Sequence, residues 1–438
     1  MRRYDSYKDS GIEWIGEIPG KWQVVKNKLF LCERKERSTE GDEELLSVSE
    51  YYGVAKRADK IEAGDILVRA ESLIDYKIVK KNDLVINIML AWKKGLGISE
   101  YEGIVSPAYC VYYLTQPYSP KFFHYLYRTD LFANIFKAHS TGIIDSRLRL
   151  YTEELFQIIS IVPPVLEQIA IASFLDRKTT EIDQLIADKK RLIELYKEEK
   201  TAIINQAVTK GIDPNVKLKD SGIEWLGEIP EHWKVKRFDF LFSFFRGLTI
   251  TKENLTKEGI PCVNYGEIHS KYGFEVNPDK DILMCVNKDY LISSKKSLLK
   301  RGDFVFADTS EDIKGSGNFT YLNSDVPTFA GYHTIIANPI DKFVHRFVAY
   351  FFESLSFRNQ IRCKVTGTKV YSITQSILKS SFVILPPFLE QEIITQYIET
   401  ECSRIDAKIS KTKKLIDLLT EYRTTLISEV VTGKIKVI

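Results

Sequence analysis

One long block of this sequence occurs twice and constrains the rest of the fold. Residues 163–212 and 386–435 both open on Pro-Pro, continue through Leu-Glu-Gln and have the pattern of a long helix. In each copy a mostly apolar seam recurs at alternating steps of four and three residues. The seam residues are Ile182, Ile186, Ile193, Tyr196 and Ile203 in the first copy, and Ile405, Ile409, Ile416, Leu419 and Leu426 in the second.

An apolar seam with this period favours a coiled coil over a helix that is half-buried in a globule. Because the chain carries two such helices, we expect each to be the partner of the other. The alternative is that each helix packs only on its own domain. Polar seam positions would cost some stability but would fix the register of the pair; these are Lys189, Lys200, Thr412 and Arg423. Further leucines widen the apolar stripe and are candidates for docking another protein's helices; these are Leu192, Leu195, Leu415 and Leu418.

A second, shorter repeat opens each half of the chain. Residues 9–19 read DSGIEWIGEIP and residues 220–230 read DSGIEWLGEIP, so the two copies differ only at Ile15 and Leu226. The chain is therefore an internal duplication. The offset between copies is 211 residues from 9 to 220 and 223 residues from 163 to 386, which places 12 extra residues in the middle of the second half.

The segments between the repeats, about 21–140 and 231–365, have diverged but keep faint similarities. NDLVINIM from Asn82 parallels GDFVFADT from Gly302, and a Thr-Gly step closes each segment at Thr141 and Thr366. Short β-branched and aromatic runs broken by Gly, Asn and Pro predict mixed α+β units. We therefore predict two α+β domains, with a pseudo-two-fold internal repeat, joined by two long helices in an antiparallel coiled coil. The predicted boundaries are 1–162 and 213–385 for the domains, and 163–212 and 386–438 for the helices.

Composition indicates a soluble globular class and leaves the partner open. Hydrophobic residues make up 44% and charged residues 28% of the chain, with a net charge of +3 and a pI near 8.3. That balance permits a nucleic-acid partner without demanding one. The six cysteines have no zinc-ligand spacing, so we expect reduced thiols and no metal. No apolar run is long enough to cross a membrane, so we expect a cytoplasmic protein.

Motifs that carry chemistry are missing from this sequence. Pro386-Pro387-Phe388 resembles part of an adenine-methyltransferase motif, but Leu385 stands where an Asn or Asp would have to accept the amino hydrogens. There is no phosphate-binding GxxxxGK[ST] loop, and no histidine has a companion at i+2 or i+4. We predict no catalytic residue. An enzyme whose active-site residues lie far apart in the sequence remains the alternative.

Taken together and in this order, the duplicated features resemble the DNA-specificity subunits of type I restriction-modification systems. The resemblance covers the whole chain and rests on GIEWIGEIPGKW and GIEWLGEIPEHW, the Thr-Gly steps, PPVLEQ and PPFLEQ, and the long heptad helices. It implies that each diverged segment is a target recognition domain that reads one half of a split site in double-stranded DNA. It also implies a non-catalytic chain that docks methyltransferase subunits, two per chain, together with restriction and translocase subunits. S-adenosylmethionine, ATP and Mg would then be bound by those partners and not by this chain.

The length of the helices agrees with that implication. Residues 182–207 would extend over roughly 40 Å at about 1.5 Å per residue. This is close to one turn of B-DNA, the spacing expected between two half-site readers.

Candidate DNA-binding residues lie in the glycine-flanked and Thr-Gly loops. Base edges and phosphates are contacted mainly by Arg, Lys and polar side chains. In the first domain the candidates are Lys93, Lys94, Arg147 and Arg149, and in the second they are Lys314, Lys364, Lys369 and Tyr371. For each one the alternative is an ordinary solvated side chain. The alternative for the whole protein is a two-headed coiled-coil adaptor that binds protein or RNA.

Overall fold

A computed structural model describes residues 2–60, 73–367 and 369–437. The chain divides into two compact units, and each is described separately. Unit 1 comprises Met1–Lys190 with Lys413–Ile438, and unit 2 comprises Arg191–Thr412. Each unit therefore contains one α+β part and a segment of both long helices.

Unit 1 is built from short strands and three short helices that precede the first long helix. Its strands are β1 (Tyr7–Asp9), β2 (Glu17–Pro19), β3 (Gln23–Lys26), β4 (Leu31–Glu33), β5 (Leu46–Ser49), β6 (Gly53–Lys56), β7 (Lys77–Val79), β8 (Leu84–Asn87), β9 (Leu96–Ile98), β10 (Gly103–Val105), β11 (Tyr109–Leu114) and β12 (Ile159–Val162). Its helices are α1 (Pro120–Tyr127), α2 (Asp130–Ala138), α3 (Thr152–Gln157) and the first part of α4 (Val165–Lys210).

The central sheet of unit 1 is antiparallel, with the strand order β4-β11-β8-β9. β3 pairs with β12, so the start of the unit is joined to the strand that leads into α4. Aromatic side chains of α1 and α2 fill the core between this sheet and the long helices, as their three- and four-residue spacing predicts; Phe122, Phe123, Tyr127, Phe132 and Phe136 are all buried.

Unit 2 repeats this plan and adds strands. Its strands are β13 (Leu218–Asp220), β14 (Glu228–Pro230), β15 (Lys234–Arg237), β16 (Phe242–Arg246), β17 (Ile260–Val263), β18 (Phe274–Val276), β19 (Cys285–Val286), β20 (Leu298–Leu299), β21 (Phe304–Ala307), β22 (Thr309–Ser310), β23 (Phe319–Leu322), β24 (Thr328–Ala330), β25 (Thr334–Pro339), β26 (Tyr371–Ser372) and β27 (Phe382–Leu385). Its helices are α5 (Tyr265–Ser270), α6 (Tyr290–Ser293), α7 (His345–Glu353), α8 (Leu355–Arg362), α9 (Gln375–Lys379) and the first part of α10 (Phe388–Val431).

The sheets of unit 2 show where the duplication is preserved. The order β16-β25-β21-β23 matches β4-β11-β8-β9 of unit 1, and β15 pairs with β27 as β3 pairs with β12. A second sheet, with the order β19-β17-β24-β20, corresponds in unit 1 to the antiparallel pairs β6-β5 and β10-β7, which a parallel bridge between Leu45 and Ile104 joins. The central strands β8 and β21 are the NDLVINIM and GDFVFADT segments whose similarity the sequence preserves.

Both long helices start directly after Pro-Pro and contain no internal glycine or proline, which allows 46 and 44 uninterrupted residues. Within unit 2, the Lys408 ammonium lies 5.3 Å from the Tyr196 ring centroid, and the Lys200 ammonium lies 2.8 Å from the Asp406 carboxylate. Residue numbers rise on one helix as they fall on the other, so the two segments pack antiparallel. Within unit 1, Ile182 and Leu426 are buried in a shared core.

A glutamine clamp joins each long helix to its unit. The buried Gln168 side chain donates to Pro163 O at 2.7 Å and accepts from Ser119 N, just before α1, at 2.9 Å. In unit 2, Gln391 donates to Pro386 O at 2.9 Å and accepts from Val344 N, just before α7, at 2.8 Å. The Leu-Glu-Gln repeat is therefore a structural joint.

The adjacent Glu-Trp pairing shows how the two sequence repeats meet. The buried Trp233 of the second DSGIEW repeat region donates its indole N–H to Glu390 Oε1 at 3.0 Å. The other oxygen of the Glu390 carboxylate lies 2.8 Å from His232 Nε2. In unit 1, Trp22 is also buried and packs against Tyr4 and Phe122.

The predicted fold class, mixed α+β units with two long helices and an internal repeat, is confirmed. Helices α4 and α10 lie inside the predicted ranges 163–212 and 386–438, while the predicted domain boundaries themselves stay predictions. The six cysteines are free thiols. Within the described ranges, no helix is both long and apolar enough to cross a membrane.

Candidate nucleic-acid interface

The first predicted loop of unit 1 follows the central strand β8. A short 3-10 turn, Ala91–Lys93, ends at Lys94, which adopts a left-handed backbone conformation with φ of 63°. The Trp92 indole N–H donates to Met89 O at 3.1 Å, which fixes the ring over this turn. Lys93 is exposed beside it.

Lys94 has a structural partner that reduces its freedom to contact a ligand. Its ammonium lies 2.6 Å from the Asp130 carboxylate in the first turn of α2, and its carbonyl accepts from Arg128 at 2.8 Å. Of the two predicted lysines in this loop, Lys93 is therefore the better placed for an external partner.

Arg128 joins this first loop to strand β9 and to the turn between β5 and β6. Burial lowers the pKa of this guanidinium to about 10, so the side chain stays charged at neutral pH. It donates to five backbone carbonyls, those of Ser49, Glu50, Tyr51, Lys94 and Leu96. A partly buried cation with this many acceptors fixes the backbone around it.

The second predicted loop of unit 1 runs from Thr141 to Arg149 and is closed by backbone hydrogen bonds in both directions between those residues, each 2.9 Å. Gly142 makes the closure possible, because its φ is +149° and a Cβ there would lie 2.6 Å from Arg147 O. Arg147 is exposed, whereas the Arg149 guanidinium donates to Leu148 O at 2.8 Å.

The structure brings these two loops together around Trp92. The Lys93 and Lys137 ammonium groups lie 5.0 Å and 4.8 Å from the Trp92 ring. Lys137 also forms a 2.9 Å ion pair with Asp145 of the second loop. A backbone hydrogen bond of 3.0 Å from Leu150 N to Ile88 O fixes the two segments side by side. We call residues 88–95 and 141–150 the loop pair of unit 1.

Unit 2 contains the same arrangement at the corresponding positions. β22 pairs with β26 through Ser310 and Tyr371, and Ile373 N donates to Asp308 O at 2.7 Å, as Leu150 does to Ile88. Arg362 donates to Lys314 O at 2.5 Å. We call the described residues of 308–317 and 364–373 the loop pair of unit 2.

The predicted residues of unit 2 differ in how freely they can contact a ligand. Lys314 and Lys369 are exposed, and Tyr371 is partly buried in the strand pair. The Lys364 ammonium is 2.8 Å from Ser380 Oγ and so has a partner within the unit. Gly367 closes the second loop with φ of +157°, as Gly142 does in unit 1.

Beside the unit 2 loop pair is a cleft of about 790 Å³, with Lys314 and Val370 on its wall. His269 lines it and is fixed by two contacts of 2.8 Å, from Nε2 to Thr309 O and from Nδ1 to the Asn318 amide. Since a carbonyl only accepts, Nε2 carries the proton. His333 lines the same cleft with a positive φ of 55°, its Nδ1 lying 3.2 Å from the Asp308 carboxylate.

Sequence reasoning missed Trp92, Lys137, His269 and His333. Trp92 adjoins the predicted lysines and a signal was available, because aromatic residues interleaved with basic ones are common in nucleic-acid sites. Lys137 and the histidines reach their loops through tertiary contacts, for which the sequence gives no spacing signal.

The seam and docking predictions concern the long helices. All ten predicted apolar seam residues are buried or partly buried, with Ile182, Ile193, Ile405 and Leu426 the most enclosed. Of the docking candidates, Leu195 in unit 2 and Leu415 and Leu418 in unit 1 are exposed, whereas Leu192 is partly buried. These placements leave both predictions open.

No metal site is evident in the part of the chain that the structure describes. No three histidine, cysteine, aspartate or glutamate side chains are grouped closely enough there to hold a metal ion.

Comparisons with known proteins find similar sequences over parts of the chain and, in at least one relative, over nearly all of it. Residues 230–420 match the family described as type I restriction modification DNA specificity domain. The MjaVIII specificity subunit of Methanocaldococcus jannaschii is 24% identical over 434 residues, 96% of this chain and 94% of that protein. The EcoKI specificity subunit of Escherichia coli K12 is 22% identical over 214 residues, 48% of this chain and 44% of that protein.

Solved structures share the fold. A chain from a structure of a type I restriction-modification system superposes with a TM-score of 0.69 at 14% identity, covering 95% of this chain and 99% of that one. The HsdS subunit from Thermoanaerobacter tengcongensis gives a TM-score of 0.58 at 13% identity, covering 95% and 98%.

Two α+β units, each with a loop pair at the same position and a segment of both long helices, define a duplicated scaffold protein with two equivalent surfaces. Residues 230–420 of this scaffold match the family of type I restriction-modification DNA specificity domains, and nearly the whole chain is similar to a type I specificity subunit.

Proposed function

We propose that the chain is a non-catalytic specificity subunit that binds a bipartite sequence in double-stranded DNA, one half-site per unit. The observation that carries this proposal is the recurrence of the loop pair. In both units the segment after the central strand lies beside the segment that follows α2 in unit 1 and α8 in unit 2, and equivalent hydrogen bonds join the two segments. Both loop pairs expose cations, Lys93 and Arg147 in unit 1 and Lys314 and Lys369 in unit 2.

The differences between the loop pairs support two different half-sites. Unit 2 has the cleft with His269 and His333 beside its loop pair, and its loops differ in sequence from those of unit 1. Phosphate contacts position a protein on DNA, whereas contacts to base edges specify sequence. A common scaffold with divergent loops is suited to reading two unlike sequences.

The proposal includes partners that carry the chemistry. The chain would dock methyltransferase subunits, two per chain, which use S-adenosylmethionine, and restriction and translocase subunits, which use ATP and Mg. Leu195, Leu415 and Leu418 are exposed on the long helices, where an apolar partner surface would bury them. The protein would act in the cytoplasm, where its DNA is.

The test is selection from a pool of random-sequence duplexes, with the full chain and its methyltransferase partner. We expect enrichment of two short motifs separated by a fixed spacer. Mapping adenine methylation in the host genome, with the gene intact and disrupted, should return the same split motif. Enrichment of RNA but not of duplex DNA would favour the two-headed adaptor, and turnover of labelled DNA by the isolated chain would favour an enzyme.

A further inference from the structure

Two isoleucines lie at the tip of the Thr141–Arg149 loop with little protein around them. Ile143 is 97% exposed and its neighbour Ile144 is 54% exposed. A single exposed apolar side chain needs no explanation. Two adjacent exposed isoleucines inside a predicted DNA-contact loop do need an explanation.

This tip is held in place by the rest of the loop. Thr141 and Arg149 close its base, and Arg147 N donates to Ile144 O at 2.8 Å within it. The 2.9 Å ion pair from Lys137 to Asp145 joins the loop to α2. A loop that is already ordered loses little conformational entropy when it binds a partner.

The surroundings of the tip are basic. Arg147 is exposed and has no side-chain partner among the described residues, and the Lys93 side chain contacts only the Trp92 ring there. Cations beside an apolar tip match duplex DNA, in which phosphates flank the base edges. The apolar group that a base edge offers is the 5-methyl group of thymine, which lies in the major groove.

The width of the loop favours the same groove. At a hydrogen-bonded antiparallel pair such as Thr141 and Arg149, the Cα atoms are about 5.5 Å apart. With side chains added, such a ribbon fits a major groove about 12 Å wide but not a minor groove about 6 Å wide.

We propose that the Thr141–Arg149 loop enters the major groove and that Ile143 contacts a thymine 5-methyl group in the half-site of unit 1. Arg147 and Lys93 contact the flanking phosphates. This inference rests on the proposed function and adds a specificity-determining residue to it. The corresponding loop of unit 2 carries Lys369 and Val370, so its half-site should follow a different preference.

The first experiment repeats the duplex selection with Ile143→Ser. We expect the variant to lose the preference for thymine at one position of one half-site and to keep the other half-site and the spacer. Ile143→Leu, which keeps an apolar tip, should retain the preference. Ile282→Ser is the matched control, since Ile282 is 91% exposed in unit 2 and lies outside its loop pair.

The second experiment measures the methyl contact directly. Uracil replaces that thymine in the selected duplex, which removes only the 5-methyl group. The unaltered chain, with its methyltransferase partner, should bind the uracil duplex about fourfold more weakly, the effect of losing one buried methyl group. Ile143→Ser should bind the thymine and uracil duplexes equally well.

Two outcomes would overturn this inference while leaving the proposed function intact. One is an unchanged motif with Ile143→Ser, and the other is an equal response of variant and unaltered chain to uracil. If the unaltered chain selects no split motif, the proposed function fails, and this inference fails with it. Thermal unfolding of each variant checks that the fold is preserved, as the exposure of Ile143 leads us to expect.

Discussion

The Lys200 ammonium of α4 lies 2.8 Å from the Asp406 carboxylate of α10 within unit 2. The duplication makes this ion pair more informative. With the 223-residue offset between the repeats, Arg423 corresponds to Lys200 and Asp406 corresponds to Asp183. The two corresponding residues, Arg423 and Asp183, also form an ion pair, of 2.8 Å, within unit 1. Two of the four polar seam positions thus have matched acidic partners, which supports the prediction that they set the register.

Reversing one of these charges tests that role. Asp406→Lys would place two cations together and should lower the free energy of unfolding of unit 2 by about 0.5 to 1 kcal/mol, the range for partly exposed ion pairs. Adding Lys200→Asp should restore most of the loss in urea unfolding. Lys411→Asp, at an exposed position of α10, is the control for a charge change alone. Strictly additive effects of the two reversals would show that the pair does not interact.

Lys93 and Lys94 should respond differently to removal. Lys93 is exposed and can contact a phosphate, so Lys93→Ala should reduce the slope of log affinity against log salt by about 0.9. Lys94→Ala should change that slope less, because its ammonium is paired with Asp130. Duplex binding with the methyltransferase partner, measured at several salt concentrations, gives both slopes. Equal salt slopes for Lys93→Ala and the unaltered chain would show that Lys93 does not contact a phosphate.

Gly142 should be required for binding more than for folding. In Gly142→Ala the new Cβ would lie 2.6 Å from Arg147 O at a φ of +149°, so the loop has to open. We expect duplex binding to fall by about tenfold or more, the loss of one or more contacts, with a thermal midpoint close to that of the unaltered chain. Gly11→Ala is the matched control, because Gly11 also has a positive φ, of +71°, but no atom lies within 4 Å of its added Cβ. A variant with unchanged binding would show that closure of this loop is not needed.

His124 should make unit 1 sensitive to acid. Burial, together with the nearby Arg128 guanidinium, lowers the pKa of His124 to about 4. Between pH 6.5 and 4 the unfolded chain binds a proton that the folded chain does not, so stability is lost as the pH falls through this window. Urea unfolding should show His124→Gln losing about 1 to 2 kcal/mol less than the unaltered chain between pH 7 and 4.5. Gln keeps an acceptor for Ile98 N–H, which lies 3.3 Å from His124 Nδ1. Parallel pH profiles would contradict this role.

Asp303 should act in the opposite direction in unit 2. Burial raises the pKa of Asp303 to about 6. The hydrogen bond that the carboxylate accepts from Lys300 N acts in the opposite direction and offsets part of this increase. Between pH 4 and 6 the unfolded chain releases a proton that the folded chain keeps, so stability falls as the pH rises. Asp303→Asn should remove this slope in urea unfolding. A variant that retains the slope would assign it to another group.

Asp303 and its counterpart Asp83 also show what the sequence could not predict. Both precede the central strand and accept from a lysine N–H three residues earlier. Asp83 also receives a bidentate contact from Arg34 at 2.6 and 2.9 Å, whereas Asp303 receives the Asn338 amide at 3.2 Å. The partners come from strands far away in the sequence, so the repeat predicts the position of the aspartate but not its electrostatics.

Repeats and periodicity predicted the features that depend on local order. The long helices, the aromatic cores of α1 and α2, and the loops that form each loop pair could all be located because their signals lie within a few residues. Two features of the site depend on how α2 packs against the first loop. These are the ion pair of Lys94 with Asp130 and the contact of Lys137 with the Trp92 ring. A single sequence contains no local pattern from which that packing could be predicted.

The glutamine clamps have a consequence for how a protein like this can change over time. Among the described residues, the side chains of Gln168 and Gln391 bond only to main-chain atoms of Ser119, Pro163, Val344 and Pro386. A backbone amide or carbonyl is present whichever side chain accompanies it. The attachment of each variable region therefore tolerates substitution of its neighbours, so that one half of the chain can diverge, or be exchanged for another, while the joint stays the same.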